Sequence, residues 1–381
     1  MSLFRWLVSI SLLAGSAGAL AADLPATTGW YAIPNTQLQS VCAAGNGFPS
    51  VGGATGCSAI TSAWNGGVFD SQRNRLIIWG GGHNDYYGNE LYALRLDTLS
   101  VERLTDPGLP TAPTGSCVEA IVNGSQPNSR HTNDGIEYIA SADKMFVFGG
   151  SLACHVGSFG ADTWTFDFGT NRWQRMNPSG PIPWGDAGIM TAYDPASGLI
   201  YLHDRQHLYT YDVGTDAYTR RTSSRTILGY HLAATIDPVR KQFVMIGWDS
   251  DAGGGRVYTI DISTGSNYQL RTIATTGGDA IVNARFPGLE FDPVSNTIVA
   301  WSGGNDVYSL NLDTRQWTRS SFSGGPTAMT NGTHGRWRYS AASGVFVVAN
   351  SVSSNMHALR LPGDRNSVSK VPKAPGNIVV Q

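Results

Sequence analysis

Charge is scarce in this chain. Charged side chains make up 14% of 381 residues, 26 basic against 28 acidic, for a net charge of −2. No run of lysine or arginine occurs, so the electrostatic footprint of a nucleic-acid binder is missing and no nucleic-acid partner is expected. Past the N-terminus no apolar stretch is long enough for a bilayer, so no membrane span is expected. Cysteine is limited to Cys42, Cys57, Cys117 and Cys154, with neither a CxxC nor a zinc-finger spacing, which argues against a cysteine metal site. No glycine-rich stretch is followed by Lys-Ser/Thr and a helix, and no G-x-S-x-G elbow precedes a helical segment. Phosphate-loop and serine-hydrolase chemistries fall away with them.

What is present points to β structure. Glycine reaches 46 residues, well above the usual ~7%. Hydrophobic residues are 41%, enough for a core, and 11 Trp, 15 Tyr and 13 Phe favour short strands joined by tight turns. The N-terminus carries Arg5, an apolar run from Trp6 to Ala14 and small residues ending Ala19-Leu20-Ala21. That pattern reads as a signal peptide over residues 1–21, and places the mature protein outside the cytoplasm, secreted or periplasmic. In an exported chain four cysteines favour two disulfides, and proximity suggests Cys42–Cys57 and Cys117–Cys154, although three pairings exist.

The chain also repeats itself. Arg75-Leu-Ile-Ile-Trp-Gly-Gly81 is echoed by Lys144-Met-Phe-Val-Phe-Gly-Gly150, and more loosely at Leu199–Leu202, Gln242–Gly247, Thr297–Gly303 and Val345–Val348. Several copies follow an Asp-Pro turn, as at Asp194-Pro195, Asp237-Pro238 and Asp292-Pro293. Most precede a strand such as Glu90–Leu96 or Asp306–Leu312, and a tryptophan often follows, as at Trp173 and Trp317. Each unit supplies four strands, and such units stack radially as a β-propeller. The expectation is an all-β, six-bladed ring forming one domain over residues 22–361, followed by a tail at 362–381. The last unit lacks an outer strand, which Gly29–Ile33 can supply. Seven blades is the alternative, since the long segment from Leu104 to Asn128 has room for more strands. The Gly-Gly pair, the downstream Tyr and the later Trp together resemble the kelch-type propellers. That resemblance implies the fold and leaves function open.

In a propeller, the segment leading into each inner strand and the loop joining its second and third strands share one face. Six of the eight histidines fall in those segments: His83, His131, His155, His203, His231 and His334. Gapless alignment of the inner strands puts His231 and His334 at one position, and Tyr230 in register with Arg285. The scattered acids (Asp85, Glu90, Asp134, Asp204, Asp249, Asp251, Asp306) do not form a pair suited to glycoside hydrolysis.

A mouth of His, Tyr and Arg suits β-elimination on a uronate polysaccharide, with Arg neutralising the carboxylate while His and Tyr move protons. In this the chain resembles the propeller-fold ulvan lyases, which use those residue types at the channel mouth. The resemblance implies catalytic roles for His131 or His231 as base, Tyr230 as acid, and Arg285 or Arg336 as neutraliser. His83, His155, His334, Tyr86, Tyr87 and Trp248 are the expected substrate contacts. No cofactor is required; a divalent metal is allowed, with His83 and Asp85 as candidate ligands. The expected partner is an acidic polysaccharide or another glycan, bound by a monomer. Two alternatives stay open: a glycan- or protein-binding propeller without catalysis, and a copper-radical carbohydrate oxidase like galactose oxidase.

Overall fold

The computed structural model describes residues 24–49, 51–113 and 116–365; the expected signal peptide lies outside them. Six four-stranded antiparallel sheets form the ring of a six-bladed β-propeller. The inner strands, in order, are Gly67–Asp70, Ile136–Ile139, Met190–Asp194, His231–Asp237, Gly288–Asp292 and Trp337–Ser340. Seven blades are not formed. Among its described residues the segment from Leu104 to Asn128 contributes only a two-stranded ribbon, Ala120–Ile121 against Gln126–Pro127, too short to present a face to a neighbouring blade.

The turn between first and second strands shows why the repeats are so regular. Asp70, Asp194, Asp237 and Asp292 each end an inner strand and accept backbone N–H groups from the turn. Just before the second strand, Asn74, Asp143, Gly198, Lys241, Asn296 and Gly344 all take a positive φ. An Asx turn closed by a left-handed residue thus starts four of the six hairpins, and in the last blade Ser340 Oγ takes the place of the Asp by accepting the Ser343 N–H. The apolar second strands follow and are almost wholly buried.

Apolar clusters occupy all six interfaces between adjacent blades. Blades 1 and 2, for example, meet through Val68, Trp79 and Leu91 against Tyr138, Trp164 and Phe166. Their counterparts fill the remaining five gaps. Near the axis a charged group ties blades together. Arg338 lies 3.4 Å from Glu137 and 3.5 Å from Glu290, and donates to the carbonyls of Gly67 and Gly335.

The ring closes as the sequence suggests. Gly29–Ala32 pairs antiparallel with His357–Arg360, so the N-terminal strand becomes the outer strand of the last blade. Trp30 stands 5.5 Å from Trp301 and 5.8 Å from Trp337, ring centre to ring centre. Arg365 makes a buried two-pronged pair with Asp292 of the fifth blade at 2.9 and 2.7 Å. Both disulfides are present, Cys42–Cys57 and Cys117–Cys154. Among the described residues no helix is long and apolar enough to cross a membrane.

Closure by a single strand predicts a specific weakness. Trp30→Ala should lower unfolding stability by about 2 kcal/mol or more, since it removes a half-buried indole from a tryptophan cluster. A denaturant midpoint equal to wild type would contradict this.

Candidate functional site

Strand register defines equivalent positions around the ring. Six residues before the end of each inner strand stand Trp64, Asn133, Gly188, His231, Phe286 and His334. These positions mark one end of the ring, and of them Trp64 and Asn133 line an open mouth. A cavity of about 320 Å³ opens there, lined by Trp64, His83, His131, Asn133, Ser151, Val156, Gly157, Phe159, Ala187 and Tyr230.

His131 is the most firmly held of its titratable groups. Its Nε2 lies 2.9 Å from Asp85 Oδ2. Asp85 in turn accepts from the Thr55 hydroxyl at 2.6 Å. Hydrogen bonding to His131 holds the Asp85 carboxyl below the usual carboxylate range, against the opposing effect of burial, with Thr55 helping. An ionised Asp85 selects the tautomer with the proton on Nε2, which leaves Nδ1 as the basic nitrogen. The supports extend outward. Thr55 sits two residues before Cys57, whose disulfide to Cys42 anchors that segment. Arg130, next to His131, is fully buried and grips Asp162 with two hydrogen bonds of 2.8 and 3.0 Å. Trp64 packs 5.2 Å from the His131 ring.

Tyr230 lines the same cavity. Its ring lies 3.9 Å from that of His231. Gly188 makes this approach possible: it has φ +76°, and a Cβ there would stand 2.5 Å from Tyr230 Cβ. His231 packs on Phe286, and Phe286 on His334. Burial, then the positive charges of Arg285 and Arg205, push the His231 imidazole down to about 4. It is neutral at physiological pH, and its Nδ1 is buried without a partner.

His83 occupies a strained position, φ +42°, with its ring against Gly157; a Cβ on that glycine would stand 2.6 Å from the imidazole. The loop bearing Val156, Gly157 and Phe159 is fixed by the Cys117–Cys154 bond, and the Cys154 N–H donates to the His83 carbonyl at 2.9 Å.

Several residues suggested by the sequence stand elsewhere. Arg336 is completely buried; its guanidinium donates to the carbonyls of Thr61 and Gly332 at 2.7 and 2.6 Å. Burial lowers it to about 9, and no face remains to meet a carboxylate. His334 is likewise buried, donates to the Asn331 carbonyl and is pushed to about 3 by burial and by Arg336. Tyr86 is 0% exposed, with its hydroxyl 2.5 Å from Glu90. Tyr87 is buried as well, so neither can stack on a sugar. Trp248 is half-buried and faces its strand partner His231, outside the cavity lining. His155 and Arg285 are exposed at the rim. His203 is buried in the third blade and held near 3. As candidate metal ligands His83 and Asp85 lack a third partner: among the described residues no group of three or more His, Cys, Asp or Glu is placed to hold an ion.

Two residues near the mouth are not among the candidates drawn from the sequence. Trp64 faces His131 and is found only by extending the strand register to the first blade. Arg205 sits in the His203-Asp204-Arg205 loop. Its guanidinium lies 6.0 Å from the Tyr230 ring centre and is locked by Asp186, Asp251 and the Leu228 carbonyl. Comparison with protein-family models and with curated proteins finds no match for this chain.

The lowered histidines give a spectroscopic prediction. The imidazole signals of His203, His231 and His334 should keep neutral-form shifts from pH 8 down to 5. Full titration of any of them near 6.5 would contradict its burial. The sign for stability follows from linkage. In acid the unfolded chain binds protons that these three refuse, so each removes stability as pH falls below 6.5. Glu137, raised by burial to about 7, acts in the opposite sense, its contribution being lost as pH rises from about 4.5 through 7.

Proposed function

We propose that the protein is a secreted polysaccharide-active enzyme, a lyase that cleaves uronate-containing polysaccharide by β-elimination on a kelch-type propeller. The observation that carries this reading is that His131, oriented by Asp85, and Tyr230 line one open cavity. Two proton carriers facing a common space are what an elimination needs. Asp85 and Thr55 prepare one of them as a base.

In the proposed reaction the uronate carboxylate meets Arg285 at the rim. Its charge is neutralised by charge-assisted hydrogen bonds, which acidifies the adjacent C–H. Nδ1 of His131 takes that proton. The electron pair of the C–H bond becomes the new carbon–carbon double bond, and the bond from the neighbouring carbon to the glycosidic oxygen breaks. Tyr230 gives its proton to the leaving oxygen. A phenol O–H is a competent proton donor to a leaving oxygen. His231, held neutral beside Tyr230, is the alternative base. His83 and the exposed His155 supply further polar contacts.

The kelch assignment rests on the Gly-Gly pair ending the second strands of blades 1 and 2 and on the tryptophans of the outer strands. Export is supported by the leader-like N-terminus and the two disulfides. The same disulfides leave no cysteine free to crosslink a tyrosine, so nothing favours the copper-radical oxidase. A binding module without catalysis is the second reading. The exposed Val156, Phe159 and Trp184 around the mouth favour it, since a glycan receptor presents such a rim.

The test is the ultraviolet absorbance of unsaturated uronate product during incubation with ulvan, alginate, polygalacturonate and hyaluronan. His131→Ala and Tyr230→Phe should each cost ~10²–10⁴-fold in turnover with melting temperature kept. Asp85→Asn should lower kcat more than it raises KM, because it disturbs orientation rather than contact. Near-wild-type turnover by both His131→Ala and Tyr230→Phe would overturn the assignment. Retention on a glycan affinity gel without any cleavage would favour the binding module.

A further inference from the structure

Outside the cavity, one large aromatic residue is left open. Trp184 lies in the connection between the second and third blades and is 48% exposed, although tryptophan is usually well covered. Its surroundings are fixed. The Trp184 N–H donates to Asp204 Oδ2 at 2.9 Å, and Gly185 packs against the backbone of Gly160 so closely that no side chain would fit there. Arg205 lies over the indole at 5.9 Å from the ring centre and, at 6.0 Å, over Tyr230. Tyr230 lines the cavity. Tyr230, Arg205 and Trp184 therefore form a continuous row of planar groups leading from the cavity to the surface.

We infer that Trp184 is a stacking subsite for a neutral sugar unit of the polysaccharide, adjoining the cavity through Arg205. This rests on the lyase reading for the identity of the polymer. Neutrality follows from the charges around the indole. Arg205 is matched by Asp186 at 2.9 Å and Asp251 at 3.2 Å, and its third direction is taken by the Leu228 carbonyl at 2.8 Å. Asp204 accepts from the Trp184 backbone on the same side. One positive charge against three acids leaves no free cation for a uronate carboxylate, whereas the apolar face of an uncharged pyranose suits an indole. Ile182, 43% exposed and two residues away, extends the apolar surface. The subsite selects a polymer in which a neutral sugar stands near the uronate that reacts, over one built of uronates alone.

The experiment is steady-state kinetics of Trp184→Ala and Trp184→Phe on whichever of ulvan, alginate, polygalacturonate and hyaluronan the wild type cleaves. Trp184→Ala should raise KM by about two- to tenfold, the size of one lost stacking contact, with a smaller change in kcat. Trp184→Phe should recover most of the loss. The KM effect should shrink on the shortest oligosaccharide that is still cleaved. An active wild type with Trp184→Ala at unchanged KM overturns the subsite and leaves the lyase reading standing. If the wild type cleaves none of the four, the lyase reading fails. The subsite is then read by mobility in gels containing the same polymers. Retardation lost in Trp184→Ala supports it, and equal mobility of the two proteins, retarded or not, overturns it.

Discussion

Ring closure is the constraint on which the rest of this structure depends. A propeller blade buries its two faces only against neighbours, so the first and last blades must meet. Here the meeting is made by one short strand, Gly29–Ala32, added to the edge of the last blade. Trp30 carries that strand into a cluster with Trp301 and Trp337, while the Asp292–Arg365 pair joins the fifth blade to the chain leaving the sixth. Only in a closed ring do the inner strands converge. Convergence then brings Arg338 between Glu137 and Glu290, and gathers Tyr230 and His131 around one cavity.

The candidate site is built by successive layers of support. Arg130 and Asp162 hold the backbone that bears His131. Asp85 holds the ring, Thr55 holds Asp85, and the Cys42–Cys57 bond holds the segment carrying Thr55. Glycine does the same work by absence, since Gly188 leaves the room that Tyr230 fills. Buried imidazoles around the mouth are kept neutral by loss of hydration. The exposed cation of the proposed chemistry, Arg285, stands at the rim, where its own hydration is retained.

Much of the fold was legible because a propeller writes its architecture locally. The apolar second strands ending in glycine, the Asp-initiated turns and the orphan strand at Gly29–Ile33 each need only neighbouring residues to be recognised. Both cysteine pairs followed from short loops. Which loops gather around the cavity was legible too, since loop position alone decides the face they share. Depth was not. Arg336 and His334 sit in segments that lead to the mouth, yet one register step separates a side chain facing the cavity from one packed beneath it. Tyr86 lies in a loop that turns its ring inward toward Glu90, which no loop composition reveals. The charged group at the axis did leave a signal. Glu137, Glu290 and Arg338 each stand two residues before the end of an inner strand, and charge recurring at that register marks blades that meet.

In the proposed reaction a uronate sugar is held at the mouth of the propeller by His131 and Tyr230. The most direct measurement is a crystal structure of the Tyr230→Phe variant soaked with a uronate oligosaccharide. A sugar in the cavity, with its carboxylate on Arg285 and the adjacent carbon facing Nδ1 of His131, is the predicted result. A sugar bound on the outer strands or on the opposite face, with the cavity filled only by water, would contradict it.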